Sequence, residues 1–258
     1  MKRMEEKLKA FEELLKIMDR LREQCPWDRE QTMDSLRNLT IEETYELADA
    51  IMDQDMVEIR KELGDLLLHI VFYAKIGSEK GEFDITDVIR GINQKLVFRH
   101  PHVFGERKVK DAGEVIENWE EIKRKEGNRS VLSGVPVSLP AVIKSHRIQD
   151  KARAVGFDWQ NREEVWDKVI EELQEVKEEV INGHSKDKME EEIGDLLFSI
   201  VNAARLYGIE PETALEKTNR KFIKRFSYLE DQANRSGRSL KEMTLEEMEQ
   251  IWQEAKSR

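Results

Sequence analysis

Residues that mark several large protein classes are scarce in this 258-residue sequence. Its one cysteine, Cys25, cannot form an intramolecular disulfide or join a second thiol in a redox or zinc pair, which indicates a reducing compartment. Only 13 glycines and 5 prolines are present, so a collagen-like or Gly/Pro-rich chain is excluded.

Long apolar runs are also lacking. The longest, such as 66–74 and 196–201, fall far short of the ~20 residues that span a bilayer. Residues 1–15 mix charged and apolar side chains and do not form the continuous apolar core of a signal peptide. We therefore expect a cytoplasmic protein with no membrane partner.

The charge balance is acidic, with 54 Asp and Glu against 43 Lys and Arg and a formal net charge of −11. Nucleic-acid polymers are bound mainly through a surplus of Lys and Arg, so we expect no such partner. An acidic protein can still meet anionic ligands through bound cations.

Apolar residues recur at intervals of three and four along residues 4–21, 57–74 and 165–180, as on one face of an α-helix. No convincing period-2 strand pattern is found. Helix starts are indicated by Asp84 before 85–98, by Asn161 before 162–181, and by Thr244 with Glu247 in a capping-box pattern. The sequence predicts an all-α fold.

Two parts of the chain resemble each other, which indicates a tandem duplication. Residues 41–52 match 170–181, residues 61–71 match 191–201, and residues 92–99 match 218–225, always in the same order. Residues 127–140 carry two glycines and two prolines and are typical of a linker. We predict an N-terminal domain at 1–126, a linker at 127–140 and a C-terminal domain at 141–258, each domain a bundle of four to five helices.

Each copy contains a pair of acidic motifs, E-E-x-x-E followed by E-x-x-D. Residues three or four apart share a helix face, so two packed helices can bring four carboxylates together. The motif residues are Glu42, Glu43, Glu46, Glu62 and Asp65 in the first copy, and Glu171, Glu172, Glu175, Glu192 and Asp195 in the second. A solvated helix face is the alternative interpretation of either motif alone. Gly64 and Gly194 lie mid-helix, where glycine costs about 1 kcal/mol against alanine, and they predict close backbone packing.

Four converging carboxylates call for a cation. Two like charges about 4 Å apart repel by roughly 4 kcal/mol at an effective dielectric of 20. Oxygen ligands of this kind suit Mg²⁺, with Mn²⁺ as an alternative. A di-iron site requires Glu-x-x-His pairs, and none of the five histidines follows a glutamate by three residues.

Basic pairs follow each acidic pair. Lys95 and Arg99 share a helix face in the first copy, as do Lys221 and Arg225 in the second. Such pairs suit a polyphosphate chain, and a salt-bridged surface is the alternative.

Taken together, the acidic motifs, the sequence GFDW at 156–159, RHPHVFG at 99–105 and the tandem layout resemble the MazG family of all-α nucleoside triphosphate pyrophosphohydrolases. The resemblance covers nearly the whole chain. It implies Mg²⁺-dependent hydrolysis of NTPs or dNTPs to a nucleoside monophosphate and pyrophosphate by a helical homodimer.

The resemblance also implies site residues, and more of them are present in the second copy. The second copy has the acidic residues as metal ligands and catalytic groups, with Lys168, Lys188, Glu191, Lys221, Arg225 and Trp252 as nucleotide-binding residues. Leu39 and Ile59 replace Lys168 and Lys188 in the first copy, where Trp119 is the counterpart of Trp252. We expect the second copy to carry most activity and the first to be weaker, differently selective or structural.

Two other functions fit the same residues. The protein could bind nucleotides without hydrolysing them and act as a regulatory scaffold. It could also be a pyrophosphohydrolase specialised for one modified nucleotide.

Overall fold

The computed structural model describes residues 2–111, 113–115, 118, 122, 130–183 and 185–257. Within these ranges the chain is helical and has no β-strand, which confirms the all-α prediction. No helix of the described part combines the length and the hydropathy that crossing a bilayer requires.

The chain divides into two compact units, unit 1 at residues 1–110 and unit 2 at residues 111–258. The division precedes the expected linker, of which residues 127–129 lie outside the described residues. The described remainder of that segment is tied to unit 2, because Lys151 Nζ donates to the carbonyl of Val131 (3.2 Å). The domain limits 1–126, 127–140 and 141–258 stay predictions.

Six helices make up the described part of unit 1. They are α1 (Lys2–Gln24), α2 (Pro26–Glu30), α3 (Met33–Asp53), α4 (Met56–Glu79), α5 (Ile85–Arg99) and α6 (Pro101–Phe104). Helices α3 and α4 pack against each other, and α1 packs on α4. The core between them consists of Met18, Leu36, Val71, Phe72 and Ile76, all at most 3% exposed.

Unit 2 repeats the central helix pair. Its described helices are α7 (Ala141–Arg153), α8 (Val165–Asn182), α9 (Lys186–Leu206), α10 (Pro211–Arg235), a short 3-10 helix (Leu240–Glu242) and α11 (Leu245–Lys256). Helices α8 and α9 pack together, α7 packs on α9 and α10, and α11 packs on α10.

Short turns fold each central pair back on itself. Gln54 ends α3 in the left-handed region (φ 56°), and Asp55 caps α4 by accepting from the amides of Val57 and Glu58. Gly183 has the same role after α8 (φ 65°), and Ser185 caps α9. Such tight connections make the paired helices antiparallel, so the acidic motif of one helix faces that of the next.

The helix-start predictions have different outcomes. Asp84 caps α5, and Thr244 forms a capping box with Glu247, as predicted. The prediction at Asn161 is wrong, because residues 161–164 form a turn, closed by a hydrogen bond from the Glu164 amide to the Asn161 carbonyl, and α8 begins at Val165. The side chain of Asn161 bonds Glu164 Oε1 (2.7 Å) within these turns.

The expected close packing at the two mid-helix glycines is also wrong for the described chain. A Cβ added to Gly64 or Gly194 would meet no atom within 4 Å outside its own helix backbone. Both glycines therefore face open space.

Candidate active site

The paired helices bring three carboxylates together in each unit. In unit 1, Glu43 from α3 and Glu62 and Asp65 from α4 each place one oxygen within 4.8 Å of the others. We call this group acid cluster 1. In unit 2, Glu172 from α8 and Glu192 and Asp195 from α9 form acid cluster 2 by the same criterion. Both clusters combine one residue of the first acidic motif with two of the second.

Acid cluster 1 contains a deeply buried carboxylate. Glu62 is 2% exposed, and its Oε1 accepts from Lys61 Nζ (2.7 Å), whereas Oε2 is buried and has no hydrogen-bond partner in the part of the chain that the structure describes. Burial raises the pKa of Glu43, and the negative charges of Asp65 and neighbouring glutamates raise it further. The folded chain therefore holds these carboxylates close enough together to disfavour the ionised form of Glu43.

Acid cluster 2 has an internal counter-charge. Lys168 Nζ lies 2.7 Å from Glu172 Oε1 and 2.8 Å from Glu171 Oε1, and these two hydrogen bonds raise the pKa of Lys168. Glu175 also has a raised pKa, first because of desolvation and then because Glu172 and Glu192 are near. Lys168 thus neutralises part of the cluster while Glu175 still experiences its negative charge.

The donor set of both clusters fits a hard divalent cation. Buried carboxylate oxygens within a few ångströms of each other repel unless a positive charge lies among them. Glu62 Oε2, buried and without a hydrogen-bond partner among the described residues, is available as a ligand atom for such a cation. Carboxylate oxygens are the ligands that Mg²⁺ and Mn²⁺ prefer.

The other acidic motif residues lie at the edges of the clusters. Glu42, Glu46, Glu171 and Glu175 are exposed and fall outside the two three-oxygen groups. Glu46 and Glu175 are nevertheless close enough to couple electrostatically with the cluster carboxylates. Their roles as ligands or catalytic groups stay predictions.

The predicted nucleotide-binding residues are distributed over four helices of unit 2, with Lys168 on α8. Lys188 and Glu191 are exposed in the first turns of α9, and Lys221 is exposed on α10. Arg225 lies on α10 with its guanidinium 6.0 Å from the ring centre of Trp252 on α11. In unit 1, Lys95 is exposed and Arg99 half-buried on α5, and Trp119 lies outside the described residues.

A cleft of about 710 Å³ opens beside acid cluster 2. Lys168, Glu172 and Asp195 belong to its lining, together with residues of α7, of segment 156–159 and of α9. Lys188, Lys221, Arg225 and Trp252 do not line it. Acid cluster 2 therefore adjoins a cavity that the sequence motifs did not predict.

One wall of the cleft is a buried ion pair. Arg205 donates from Nη1 to Asp158 Oδ2 (3.1 Å) and from Nη2 to Asp158 Oδ1, and the Arg205 side chain is 6% exposed. Asp158 belongs to the GFDW sequence, but its partner could not be read from that motif. Asn202 and Arg205, three residues apart and therefore on one face of α9, were the signal available in the sequence.

The corresponding region of unit 1 is filled by side chains. At the positions of Lys168, Ser199 and Asn202 the first copy has Leu39, His69 and Phe72. Phe72 is 2% exposed in the core, against which Leu39 packs. His69 is also buried, with Nδ1 2.9 Å from Thr40 Oγ1.

Comparisons with known proteins agree with this arrangement. The sequence profile of the MazG nucleotide pyrophosphohydrolase domain matches the chain twice, at residues 31–104 and 160–229, and each match contains one acid cluster.

Two curated relatives are similar over nearly their whole length. The nucleoside triphosphate pyrophosphohydrolase/pyrophosphatase MazG of Thermotoga maritima is 45% identical over 95% of both chains. The nucleoside triphosphate pyrophosphohydrolase of Escherichia coli K12 is 43% identical over 96% of this chain and 98% of its own. A crystal structure of a mazG-related protein from Thermotoga maritima covers 44% of this chain and 98% of its own, at 27% identity and a TM-score of 0.40. On the sequence profile and the two full-length relatives, the chain belongs to the MazG nucleotide pyrophosphohydrolase family.

Proposed function

We propose that the protein is a Mg²⁺-dependent nucleoside triphosphate pyrophosphohydrolase that cleaves NTPs and dNTPs at the α-phosphorus. The observation that carries this proposal is acid cluster 2, in which Glu172, Glu192 and Asp195 converge beside a cleft of nucleotide size. Relatives that match this chain over nearly their whole length are named for this activity.

Glu172, Glu192 and Asp195, with Glu175 at the edge of the cluster, are the residues that would hold the cation. Glu171 is an additional ligand or the general base. Mn²⁺ fits the same oxygen donors as Mg²⁺. When bound, such a cation neutralises charge on phosphate oxygens and makes a bound water more nucleophilic.

The side chains of the protein position the substrate and accept a proton. A water oxygen forms the new bond to the α-phosphorus, the bond from that phosphorus to the bridging oxygen breaks, and pyrophosphate leaves with the electron pair. The proton of the water passes to a carboxylate oxygen of Glu171. Lys188, Lys221 and Arg225 bind the phosphate tail, and Trp252 stacks on a flat part of the nucleotide.

Acid cluster 1 has the lesser role in this proposal. Its Lys168 counterpart is Leu39, and Phe72 fills the space of the cleft. A cation can bind to Glu43, Glu62 and Asp65, but the nucleotide has less room beside it. Unit 1 is therefore weaker in catalysis or structural.

The protein acts as a homodimer, in a cytoplasmic setting. Leu63, Leu67 and Ile70 on α4 are 39–53% exposed, and the equivalent Ile193, Leu197 and Ile200 on α9 are 42–58% exposed. Apolar rows repeated on both copies favour burial against a second chain. Leu197→Glu should shift the protein to monomers in sedimentation velocity, and Lys177→Glu, a charge change on exposed α8 surface, should not. If Leu197→Glu remains a dimer, the exposed apolar residues of α9 do not form the dimer interface.

Pyrophosphate release over a panel of NTPs and dNTPs with Mg²⁺ tests the activity. We expect Glu172→Gln to lower turnover about 100-fold or more, while Glu43→Gln retains most of it. Glu190→Gln, at an exposed position of α9, is the matched control. Circular dichroism should show unchanged helix content in all three variants.

The assay also separates the alternatives. Nucleotide binding without pyrophosphate release would favour a regulatory scaffold. Release from a single modified nucleotide would favour a specialised enzyme. Full activity of Glu172→Gln would remove acid cluster 2 from the mechanism.

A further inference from the structure

Each acid cluster has one buried glutamate, and a lysine contacts one oxygen of that glutamate. In acid cluster 1 the buried residue is Glu62, whose Oε1 accepts from Lys61 Nζ (2.7 Å). In acid cluster 2 it is Glu172, whose Oε1 lies 2.7 Å from Lys168 Nζ. The same contact is therefore present in both units.

The two pairs occupy different positions of the duplicated sequence. Lys61 and Glu62 are neighbours on α4, whereas Lys168 and Glu172 lie one turn apart on α8. The counterparts of these four residues in the other copy are, in the same order, Glu191, Glu192, Leu39 and Glu43. The duplication by itself therefore does not explain why both buried glutamates have a lysine on one oxygen.

The contact in unit 1 is not the simplest one that Lys61 could make. Adjacent residues of a helix do not face each other, whereas residues three apart do. Lys61 Nζ is nevertheless closer to Glu62 Oε1 (2.7 Å) than to Oε2 of Glu58 (3.5 Å), which lies three residues earlier. The side chain of Lys61 thus bends toward the buried carboxylate.

Charge stabilisation accounts for only a small part of these contacts. The side chains of Lys61 and Lys168 are 59% and 39% exposed, so water screens their charges. The hydrogen bond also has a geometric effect, because it occupies Oε1 and leaves Oε2 as the available oxygen. In Glu62, Oε2 is buried and has no hydrogen-bond partner among the described residues.

The number of available oxygens matters differently to the two common hard divalent cations. Ca²⁺ takes six to eight oxygen ligands at about 2.3–2.6 Å and binds carboxylates through one or both oxygens. Mg²⁺ is smaller, requires a near-octahedral shell at about 2.0–2.1 Å and usually keeps several waters. A glutamate limited to one oxygen therefore deprives Ca²⁺ of a ligand and costs Mg²⁺ little.

We propose that Lys61 and Lys168 make the acid clusters selective for Mg²⁺ over Ca²⁺, by limiting the buried glutamate of each cluster to ligation through one oxygen. In treating the clusters as Mg²⁺ sites, the inference rests on the proposed function. The two lysines act through Glu62 and Glu172 and are positioning residues.

Neutralisation of charge alone would have a different effect on metal binding. Removal of a lysine charge strengthens the attraction of the cluster for any divalent cation, and it does so about equally for Mg²⁺ and Ca²⁺, which carry the same charge. Release of the second carboxylate oxygen benefits only the cation that uses it. The ratio of the Ca²⁺ to the Mg²⁺ dissociation constant therefore separates the two effects.

Isothermal titration calorimetry of the metal-free full chain with MgCl₂ or CaCl₂, without nucleotide, measures this ratio. Glu192→Gln disables acid cluster 2 and serves as the background for unit 1. In this background Lys61→Met should lower the ratio about tenfold, a typical effect of changing the partner of a metal ligand. Lys61→Arg retains a donor and should keep the ratio of the background. Arg60→Met, which removes an exposed charge beside Lys61 on α4, is the matched control and should also keep it.

The same measurement applies to unit 2. In a Glu62→Gln background, Lys168→Met should lower the ratio, and Lys177→Met, at an exposed lysine of α8, should not. Circular dichroism should show the same helix content in all variants.

A ratio that stays unchanged in Lys61→Met and Lys168→Met would overturn the proposal, even if both dissociation constants shift, because the lysines would then only neutralise charge. Absence of Mg²⁺ binding in both backgrounds would overturn it as well. The titrations are independent of catalysis. A ratio that depends on the lysines, without pyrophosphate release, would uphold the selectivity and overturn the proposed function. Pyrophosphate release with an unchanged ratio would overturn the selectivity alone.

Discussion

The ammonium group of Lys168 lies 2.7 Å from Oε1 of Glu172, one helical turn further along α8. Glu172 is buried in acid cluster 2, so Lys168 is the positive charge that stabilises this carboxylate when no metal is bound. A divalent cation at the cluster would share that role. The ion pair consequently links the stability of the fold to metal binding.

Lys168→Met should lower the free energy of unfolding by about 1 kcal/mol in the presence of EDTA, because Glu172 loses its partner. We expect a small value since Lys168 is more than one third exposed and well solvated. Saturating Mg²⁺ should reduce this loss. Urea unfolding with and without Mg²⁺ measures both, with Lys177→Met as a control at an exposed lysine of the same helix. An equal loss in both conditions would contradict the link.

Mg²⁺ should stabilise the folded protein through both acid clusters. At about 100 times its dissociation constant, a ligand that binds only the folded state adds roughly 2.7 kcal/mol per site. Glu192→Gln should remove the Mg²⁺-dependent stabilisation that unit 2 contributes, and Glu62→Gln should remove the contribution of unit 1. Thermal unfolding against Mg²⁺ concentration checks this, with Glu190→Gln as the control. If neither variant changes the Mg²⁺ effect, the clusters are not the metal sites.

Arg205→Met should destabilise unit 2 by about 3 kcal/mol, because it leaves Asp158 without its partner in a mostly buried position. Urea unfolding measures this loss. Arg235→Met, at an exposed arginine of α10, should not change the stability.

The start of α11 should be sensitive to acid. Hydrogen bonds from Arg238 and from the Thr244 backbone lower the pKa of Glu247 from its ordinary value of 4.5 to about 2. A carboxylate with a lowered pKa stabilises the fold fully above pH 4.5, and that stabilisation is lost as the pH falls toward 2.

Glu247→Gln should therefore be less stable than wild type at pH 7, and the difference should narrow when the pH is lowered from 4.5 to 3. Urea unfolding at pH 7, 5 and 3 tests this, with Glu246→Gln as the neighbouring exposed control. A difference that stays constant over this range would assign the stabilisation to something other than ionised Glu247.

Local patterns in the sequence were sufficient to predict the helices and the acidic pairs. Apolar spacing and caps such as Asp84 and Thr244 depend on residues within one or two turns, and the structure has helices there. The convergence of Glu172 with Glu192 required one further step, the antiparallel packing of two helices joined by a short turn. The predicted helix start at Asn161 is wrong because the side chain of Asn161 bonds Glu164 in a turn that precedes the helix.

The cleft could not be predicted in this way. Gln149, Asp158 and Arg205 come from α7, a loop and α9, and they meet only through tertiary packing. Close packing at the mid-helix Gly194 is predicted from the local free-energy cost of glycine alone, but the structure has open space beside this residue. Both cases depend on which surfaces meet, which the spacing of residues along one helix does not determine.

Unit 1 has Phe72 at the position where unit 2 has Asn202, and this difference has a consequence for the cooperativity of unfolding. Full burial of a phenylalanine contributes roughly 1.5–3 kcal/mol, and Phe72 is 2% exposed, whereas Asn202 lines an open cleft. The unit with the fuller site therefore lacks this stabilisation at the equivalent position. On heating, unit 2 should melt before unit 1, so that the duplicated chain unfolds in two transitions and no single Tm describes it.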